Sequence, residues 1–181
     1  LALARFLLVL AALDTGSSFE GMGASREVFF AAFAEPALLL GVIGLSLASG
    51  SLSLSGMLGV GLAPAWSGTA PSLVLIAASL FVVMLAECAR VPFDDPATHL
   101  ELTMIHEVMV LDHSGIDLAL LLYGSALKLA LFGSLVVGVV VPRATLGGPL
   151  ALGILAAGLA AVAAGVGIVE SVMARLRLSR V

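Results

Sequence analysis

The sequence predicts an all-α, polytopic transmembrane helix bundle, and three observations carry that prediction. Hydrophobic residues make up 61% of the chain, charged residues only 11%, and the mean hydropathy is +1.20; soluble domains run at roughly 45–50% apolar and about 25% charged. The apolar residues fall in stretches close to the roughly 20 residues that cross a hydrocarbon core as a helix. The few charges collect in the links, above all between Glu87 and Leu102. A net charge of −4 forms no basic patch, so nucleic acid is not a predicted partner. The lone cysteine, Cys88, excludes an internal disulfide framework and any cluster held by four thiolates of this chain. A redox centre would have to sit in a partner.

Taken in order, Leu1 to Leu13 is apolar and lacks a basic leader and a cleavage site, so it reads as a clipped membrane helix and not as a signal peptide. Four full spans follow, about Glu27 to Ser49, Leu73 to Ala89, Ile116 to Val141 and Pro149 to Val169. Asp14 to Arg26 is expected to be a charged link and Pro142 to Gly148 a short turn. Gly50 to Ser72 is expected to be a Ser- and Gly-rich loop or re-entrant turn, with Trp66 as an interfacial anchor. In the last span Gly153, Ala157, Ala161 and Gly165, with Ala160 and Ala164, recur at the spacing that lets helices approach closely in lipid. That span is therefore expected to pack tightly inside a larger bundle. Arg26, Arg90, Arg175, Arg177 and Arg180 fall at one set of ends, against Arg143 at the other. By the positive-inside rule the segment after Arg90 and the last residues are cytoplasmic, in a plasma (inner) membrane protein. The abrupt ends predict a fragment of one larger membrane domain.

A charge near the bilayer centre costs at least about 2.5–3.5 kcal/mol, so ionisable residues inside spans are functional candidates. Glu35 lies roughly 12 Å into its span at 1.5 Å per residue. It precedes Pro36, which frees a carbonyl about one turn earlier, and a carboxyl beside a broken ladder suits a proton relay. Lys128 sits in mid-span after Tyr123 and Ser125 and needs protein, water or a carboxylate around it. Two readings are open for these residues: relay groups, or a structural ion pair, with each other or with other charges, that fixes packing and conducts nothing. Glu87 and Glu170 lie within about a turn of the cytoplasmic ends, where snorkelling to the interface is easy. Arg5, so near the start of the chain, receives no role.

Beyond Pro96, Ala97 to His113 has the pattern of a helix capped by Asp95 or Thr98. His99, His106 and His113 recur at every seventh residue, on one stripe with steps of about 10 Å. That spacing does not build a shared metal site, which wants imidazoles at i and i+4. With Thr103 and Glu107 the stripe is either a wet, partner-facing side or an ordinary solvated face; Leu100, Met104, Val108 and Leu111 form the apolar side, flanked by Glu101 and Asp112. Asp94 and Asp95 are docking residues or simply turn residues before Pro96. No nucleophile–base pair, P-loop or dinucleotide fingerprint is present, so the chain is expected to be non-catalytic.

Ala86-Glu87, Arg90-Val91-Pro92-Phe93-Asp94, Pro96, Glu101-Leu102 and Ser114-Gly115 resemble the signature between the fifth and sixth helices of the NADH dehydrogenase subunit 1 family of complex I. The run Asp94-Asp95-Pro96-Ala97-Thr98-His99-Leu100-Glu101-Leu102-Thr103, with His106-Glu107 and Met109-Val110-Leu111-Asp112, is similar to the membrane subunit of formate hydrogenlyase and hydrogenase-4 type complexes. Ser25-Arg26-Glu27 and Ala34-Glu35-Pro36 resemble that branch's third helix, and Glu170-Ser171 with Met173-Ala174-Arg175-Leu176-Arg177 its seventh.

The resemblance implies a fold of about eight membrane helices, of which this chain supplies the middle. It implies a subunit with no redox cofactor of its own, anchoring a peripheral arm of hydrogenase-like large and small subunits that hold a nickel–iron centre and iron–sulfur clusters. It also implies antiporter-like membrane partners, reached by a lateral proton path in which Glu35 is the third-helix carboxylate and Lys128, Glu101 and Glu87 are further candidates. Arg90, Asp94, Asp95, His99, His106 and Glu107 would then form the arm's docking surface, on a coupling loop over residues 90–115. Ala97 and His99 stand where the quinone-reducing branch carries further acids, so quinone is not favoured as a ligand. Three other functions stay open: a quinone-binding subunit of an NADH or ferredoxin dehydrogenase, a stand-alone ion transporter, and a purely structural anchor. The internal inverted repeat expected of a transporter is not visible.

Overall fold

The computed structural model describes residues 2–59, 62–91, 93, 105–141 and 148–178, the side chains of 106, 107 and 173–178 excepted. In chain order the helices are α1 (Ala2–Asp14), α2 (Ser18–Ser49), α3 (Leu54–Met57), α4 (Leu62–Glu87), α5 (Ile105–Met109), α6 (Gly115–Val140) and α7 (Gly148–Leu178). No strand occurs among the described residues. α2, α4, α6 and α7 are each long and apolar enough to cross a membrane, as the composition predicts.

The helices run longer than the apolar stretches alone suggest. α2 begins at Ser18 and not near Glu27, so the expected Asp14 to Arg26 link contracts to Thr15, Gly16 and Ser17. Gly16 makes the reversal at φ +71. The Gly50 to Ser72 segment is likewise no simple loop. It contains α3, whose start is capped by Ser53 Oγ accepting from the Gly56 N–H at 3.2 Å, and the first turns of α4. In lipid the backbone must bond within its own segment whatever its propensity, so Ser and Gly that mark loops in water remain helical. α4 bends at Thr69 (φ −127, ψ 30), two residues before Pro71, whose missing N–H leaves the ladder open. Trp66, expected as an interfacial anchor, turns inward: its Nε1–H donates to the Val139 carbonyl at 3.1 Å and ties α4 to the end of α6.

Lipid supplies no hydrophobic force between helices, so close backbone approach must hold them together. α2 meets α4 at Gly41 and Gly44, where an added Cβ would lie 3.1 Å from Leu80 Cδ2 and 3.0 Å from Ile76 Cδ1. Leu45, Leu62, Leu73, Leu80, Val136 and Val139 fill the centre between α2, α4 and α6. Val83, Met84, Phe132 and Val166 extend that core to α7. A third cluster joins α1, α2 and α5 through Ala12, Ala24, Ile105 and Met109. The outward faces carry exposed Leu40, Leu47, Leu75 and Leu131, as lipid-facing helices require.

Most of the small-residue stripe of α7 is turned away from the other described helices, Gly165 against Phe81 being the exception. Gly153, Ala157, Ala160, Ala161 and Ala164 are exposed, and α7 instead seats Gly158 on Val137, with Leu159 over Gly133. An added Cβ at Gly158 would lie 2.5 Å from Val137 Cγ1, whereas at Gly153 it would meet nothing within 4 Å. Gly158→Val should therefore wedge α6 from α7 and cost about 1–3 kcal/mol, seen as a lower thermal midpoint in detergent. Gly153→Ala should leave the midpoint unchanged or raise stability by up to about 1 kcal/mol.

Candidate functional site

A guanidinium presents its N–H donors in a rigid planar fork, and Arg5 of α1 employs all three of its nitrogens on carboxylates. Nε donates to Glu27 Oε1 at 3.4 Å, Nη1 to Glu35 Oε1 and Nη2 to Glu87 Oε2. Glu27 and Glu35 stand about two turns apart on α2, which sets both on one side of that helix. Glu87 is the last residue of α4. Lys128, in mid-α6, reaches the same set, with Nζ 3.0 Å from Glu87 Oε2 and 3.8 Å from Glu27 Oε1. Four helices thus contribute to one charge cluster inside the bundle.

Two cations against three carboxylates leave a formal charge of −1 when all are ionised. The C-terminal end of α4 adds the negative pole of its helix dipole at Glu87. The Glu87 side chain is 1% exposed, and its Oε1 is buried without a hydrogen-bond partner. Glu35 is the open member, with 42% of its side chain exposed. Taking ions out of water costs several kcal/mol each, and only mutual pairing offsets it. A set with one carboxylate in excess and one acceptor oxygen open has room for a single proton.

The sequence singles out Glu35 and Lys128 as misplaced charges, either relay groups or members of a structural ion pair. In the structure Glu35 pairs with Arg5, and Lys128 with Glu87 and Glu27. Glu87 does not snorkel to an interface; it is the most enclosed of the three carboxylates. Arg5 and Glu27 are the members that sequence reasoning misses. The signal for Arg5 is the one that exposes Lys128, a cation inside an apolar segment. Glu27 is hidden because hydropathy makes it the first residue of a span, whereas its helix starts well before it, at Ser18.

Just beyond Glu87 the chain turns sharply. Ala89 takes φ +47, the Arg90 N–H returns to the Leu85 carbonyl at 2.9 Å and the Ala89 N–H to Ala86 at 3.3 Å, closing α4 in a Schellman-type cap. A residue with a Cβ in that conformation costs roughly 1–2 kcal/mol. The turn carries Arg90 to the rim, where Nη1 lies 3.6 Å from Glu170 Oε1 of α7; both side chains are well exposed, so the pair adds little stability. The Phe93 ring meets Phe30 of α2 edge-on at 5.7 Å between centroids. Cys88 and Phe93 both pack against the apolar cluster of Val83, Met84 and Phe132.

Asp94, Asp95, His99 and Glu101 lie outside the described residues, as does Ala97 to Met104 of the expected helix. His106 and Glu107 fall on α5, of which only the backbone is described at those positions. His113, expected on a wet stripe, has its Nε2 buried without a hydrogen-bond partner. Among the described residues no three His, Cys, Asp or Glu side chains are grouped to hold a metal ion.

Removing Arg5 would strand buried carboxylates, so Arg5→Ala should cost about 3–5 kcal/mol. Arg5→Lys should recover only part of this, because one ammonium lacks the fork that reaches three carboxylates in three directions. Thermal unfolding of the purified subunit in detergent measures both, and equal midpoints for wild type and Arg5→Ala would contradict the cluster.

The chain matches the NADH dehydrogenase family across residues 1–181. It is 36% identical over 142 residues to hydrogenase-4 component C of Escherichia coli (strain K12), covering 78% of this chain and 44% of that protein. It is 33% identical over 187 residues to formate hydrogenlyase subunit 4 of the same organism, covering 98% of this chain and 58% of that protein. The chain spans about half the length of these curated relatives. No solved structure matches it.

Proposed function

The chain belongs to the NADH dehydrogenase subunit 1 family, and from that premise we propose that it forms part of the membrane subunit of a complex I-like, proton-translocating hydrogenase or formate hydrogenlyase. In this reading the redox chemistry takes place in hydrogenase-like large and small subunits, which hold the nickel–iron centre and iron–sulfur clusters. They dock on the cytoplasmic side over residues 90–115, with Arg90, Asp94, Asp95, His99, His106 and Glu107 as contacts. The excess of Arg at the helix ends on that side supports the orientation.

The observation that carries the proton-path reading is the charge cluster itself, one carboxylate in excess and only a few residues below Arg90. A proton enters from the rim near Arg90, rests on the unpartnered oxygen of Glu87 and leaves through Glu35, the exposed member. From there it passes laterally toward antiporter-like subunits. Glu101 is a further carboxylate on the entry side. Arg5 and Lys128 hold the carboxylates together as fixed cations, and each transfer breaks one O–H bond on the carboxyl that gives the proton and forms one on the group that receives it. Intramembrane ionisable groups are more often functional than structural, which favours this over a purely architectural cluster.

The test uses the full-length subunit in its assembled complex, reconstituted in vesicles. Glu87→Gln and Glu35→Gln should each leave redox turnover with a soluble dye intact. Each should lower the accompanying pH gradient by about tenfold or more, because an amide carries no exchangeable acid proton. An undiminished gradient would remove both residues from the path. In the same preparation Arg90→Ala should release the peripheral arm on purification, and full retention would count against the docking assignment.

A further inference from the structure

Glu20 takes no part in the charge cluster, yet it is fully buried. Its Oε1 accepts from the Asp112 backbone N–H at 3.0 Å, in the segment between α5 and α6. Its Oε2 meets Thr15 Oγ1 in the turn between α1 and α2. That hydroxyl has two further neighbours, the Ala12 carbonyl oxygen at 2.8 Å and the Ser17 backbone nitrogen, which donates to it, at 3.3 Å. The Ala12 carbonyl belongs to a fully buried residue near the end of α1, and the Gly16 N–H that would continue the ladder goes to Leu13 instead, at 3.2 Å. The Thr15 hydroxyl is therefore the donor this carbonyl needs. A hydroxyl owns one hydrogen and two lone pairs. With the hydrogen on Ala12 and one lone pair taking the Ser17 N–H, the second lone pair faces Glu20 Oε2. Two lone pairs in contact repel, and the contact becomes a bond only when Glu20 carries the hydrogen.

Burial and charge agree with this. No ion pair of the described residues includes Glu20, and Arg5, the buried cation of α1, is engaged by Glu27, Glu35 and Glu87. Asp112, whose N–H Glu20 takes, carries an acid of the same sign on an exposed residue. Ala12 and Ala24 pack with Ile105 and Met109 beside the joint, and at Gly23 an added Cβ would stand 3.0 Å from Met109 Cγ. A carboxylate enclosed there without a cation is costly, whereas a neutral acid with its O–H and its carbonyl both bonded is not. We propose that Glu20 is a neutral carboxylic acid in the folded chain, and that its proton is the ligand that joins the α1–α2 turn to the α5–α6 segment. Oε2–H donates to Thr15, Thr15 donates to Ala12, and Oε1 accepts from Asp112. Loss of the proton breaks the O–H bond and sets two acceptors, Glu20 and the Ala12 carbonyl, in competition for the single hydroxyl hydrogen. The site is distinct from the charge cluster, since Glu27 lies two turns farther along α2, roughly 10 Å at helical rise.

Infrared spectroscopy of the full-length subunit in its assembled complex, in lipid vesicles at neutral pH and without turnover, reads this proton as a protonated-carboxyl stretch. Glu20→Gln preserves the joint, because its amide N–H donates to Thr15 as the acid O–H does and its amide oxygen accepts from Asp112. Relative to wild type the variant should lose about one protonated carboxyl per chain, with the ionised-carboxylate bands unchanged. Loss from the ionised bands instead would overturn the proposal. The same loss should appear in a Glu87→Gln background, which separates this proton from any held in the charge cluster. If it vanishes there, the proton belongs to the cluster and the proposal falls. Should Glu20→Gln fail to assemble, Thr15→Val removes the acceptor alone: the protonated-carboxyl stretch should move to higher wavenumber as the acid O–H loses its partner, and a stretch that stays in place would be equally fatal. Because no transport is read, the outcome is independent of whether Glu87 and Glu35 conduct protons.

Discussion

The guanidinium of Arg5, shared among Glu27, Glu35 and Glu87, is the interaction on which the arrangement of this bundle depends. A planar fork offers separate donors in separate, fixed directions, which is how one side chain meets three carboxylates from two helices. In a bilayer there is no bulk water to which a stranded carboxylate could turn, so α1, α2 and α4 are held in the positions that let all three acids reach Arg5. Lys128 adds α6 to the same constraint. Close packing at Gly41, Gly44 and Gly158 then brings the helices near enough for the charges to meet. Polar pairing selects the arrangement and small residues permit it.

The same constraint links the bundle's interior to its rim. Glu87 ends α4, and the Schellman-type turn at Ala89 immediately presents Arg90 outward, so an intramembrane acid and a surface cation lie within one turn of each other. Backbone strain of this kind persists where the surroundings over-determine it and gathers at functional positions. Farther along the chain α5 meets α2 at Gly23, and the Asp112 N–H meets Glu20 of the same helix.

Much of this is legible in the sequence. Apolar stretch lengths identify the membrane class and the four spans, and the Arg90-Val91-Pro92-Phe93-Asp94 and Ala34-Glu35-Pro36 motifs point to the family. Helix boundaries are less legible, because Ser, Gly and charge signal loops in water but not where the backbone must satisfy itself in lipid, as at Leu62 to Ser72 and Ser18 to Arg26. Glu35 and Lys128 stand out as misplaced charges, yet their partners do not. Which acid meets which cation depends on how four helices rotate about their axes, and hydropathy carries little of that information. Arg5, the centre of the cluster, is easily overlooked for its place near the start of the chain, although a cation among Leu, Phe and Ala is as costly there as at Lys128. Glu20 leaves no signal at all, since its role arises from a contact with a backbone N–H far along the chain.

Arg5 and Glu87 should behave as a directly coupled pair, and a double-mutant cycle on the stability of the full-length subunit measures that coupling. Arg5→Ala, Glu87→Gln and the double variant should be markedly non-additive: Glu87→Gln should soften the loss caused by Arg5→Ala, with an interaction energy of about 0.5–3 kcal/mol. Removing one charge strands the other, whereas removing both leaves fewer unpaired groups in the bilayer. Additive losses, with the double variant as damaged as the sum of the single ones, would show that Arg5 does not hold Glu87 and that the bundle is organised by something else.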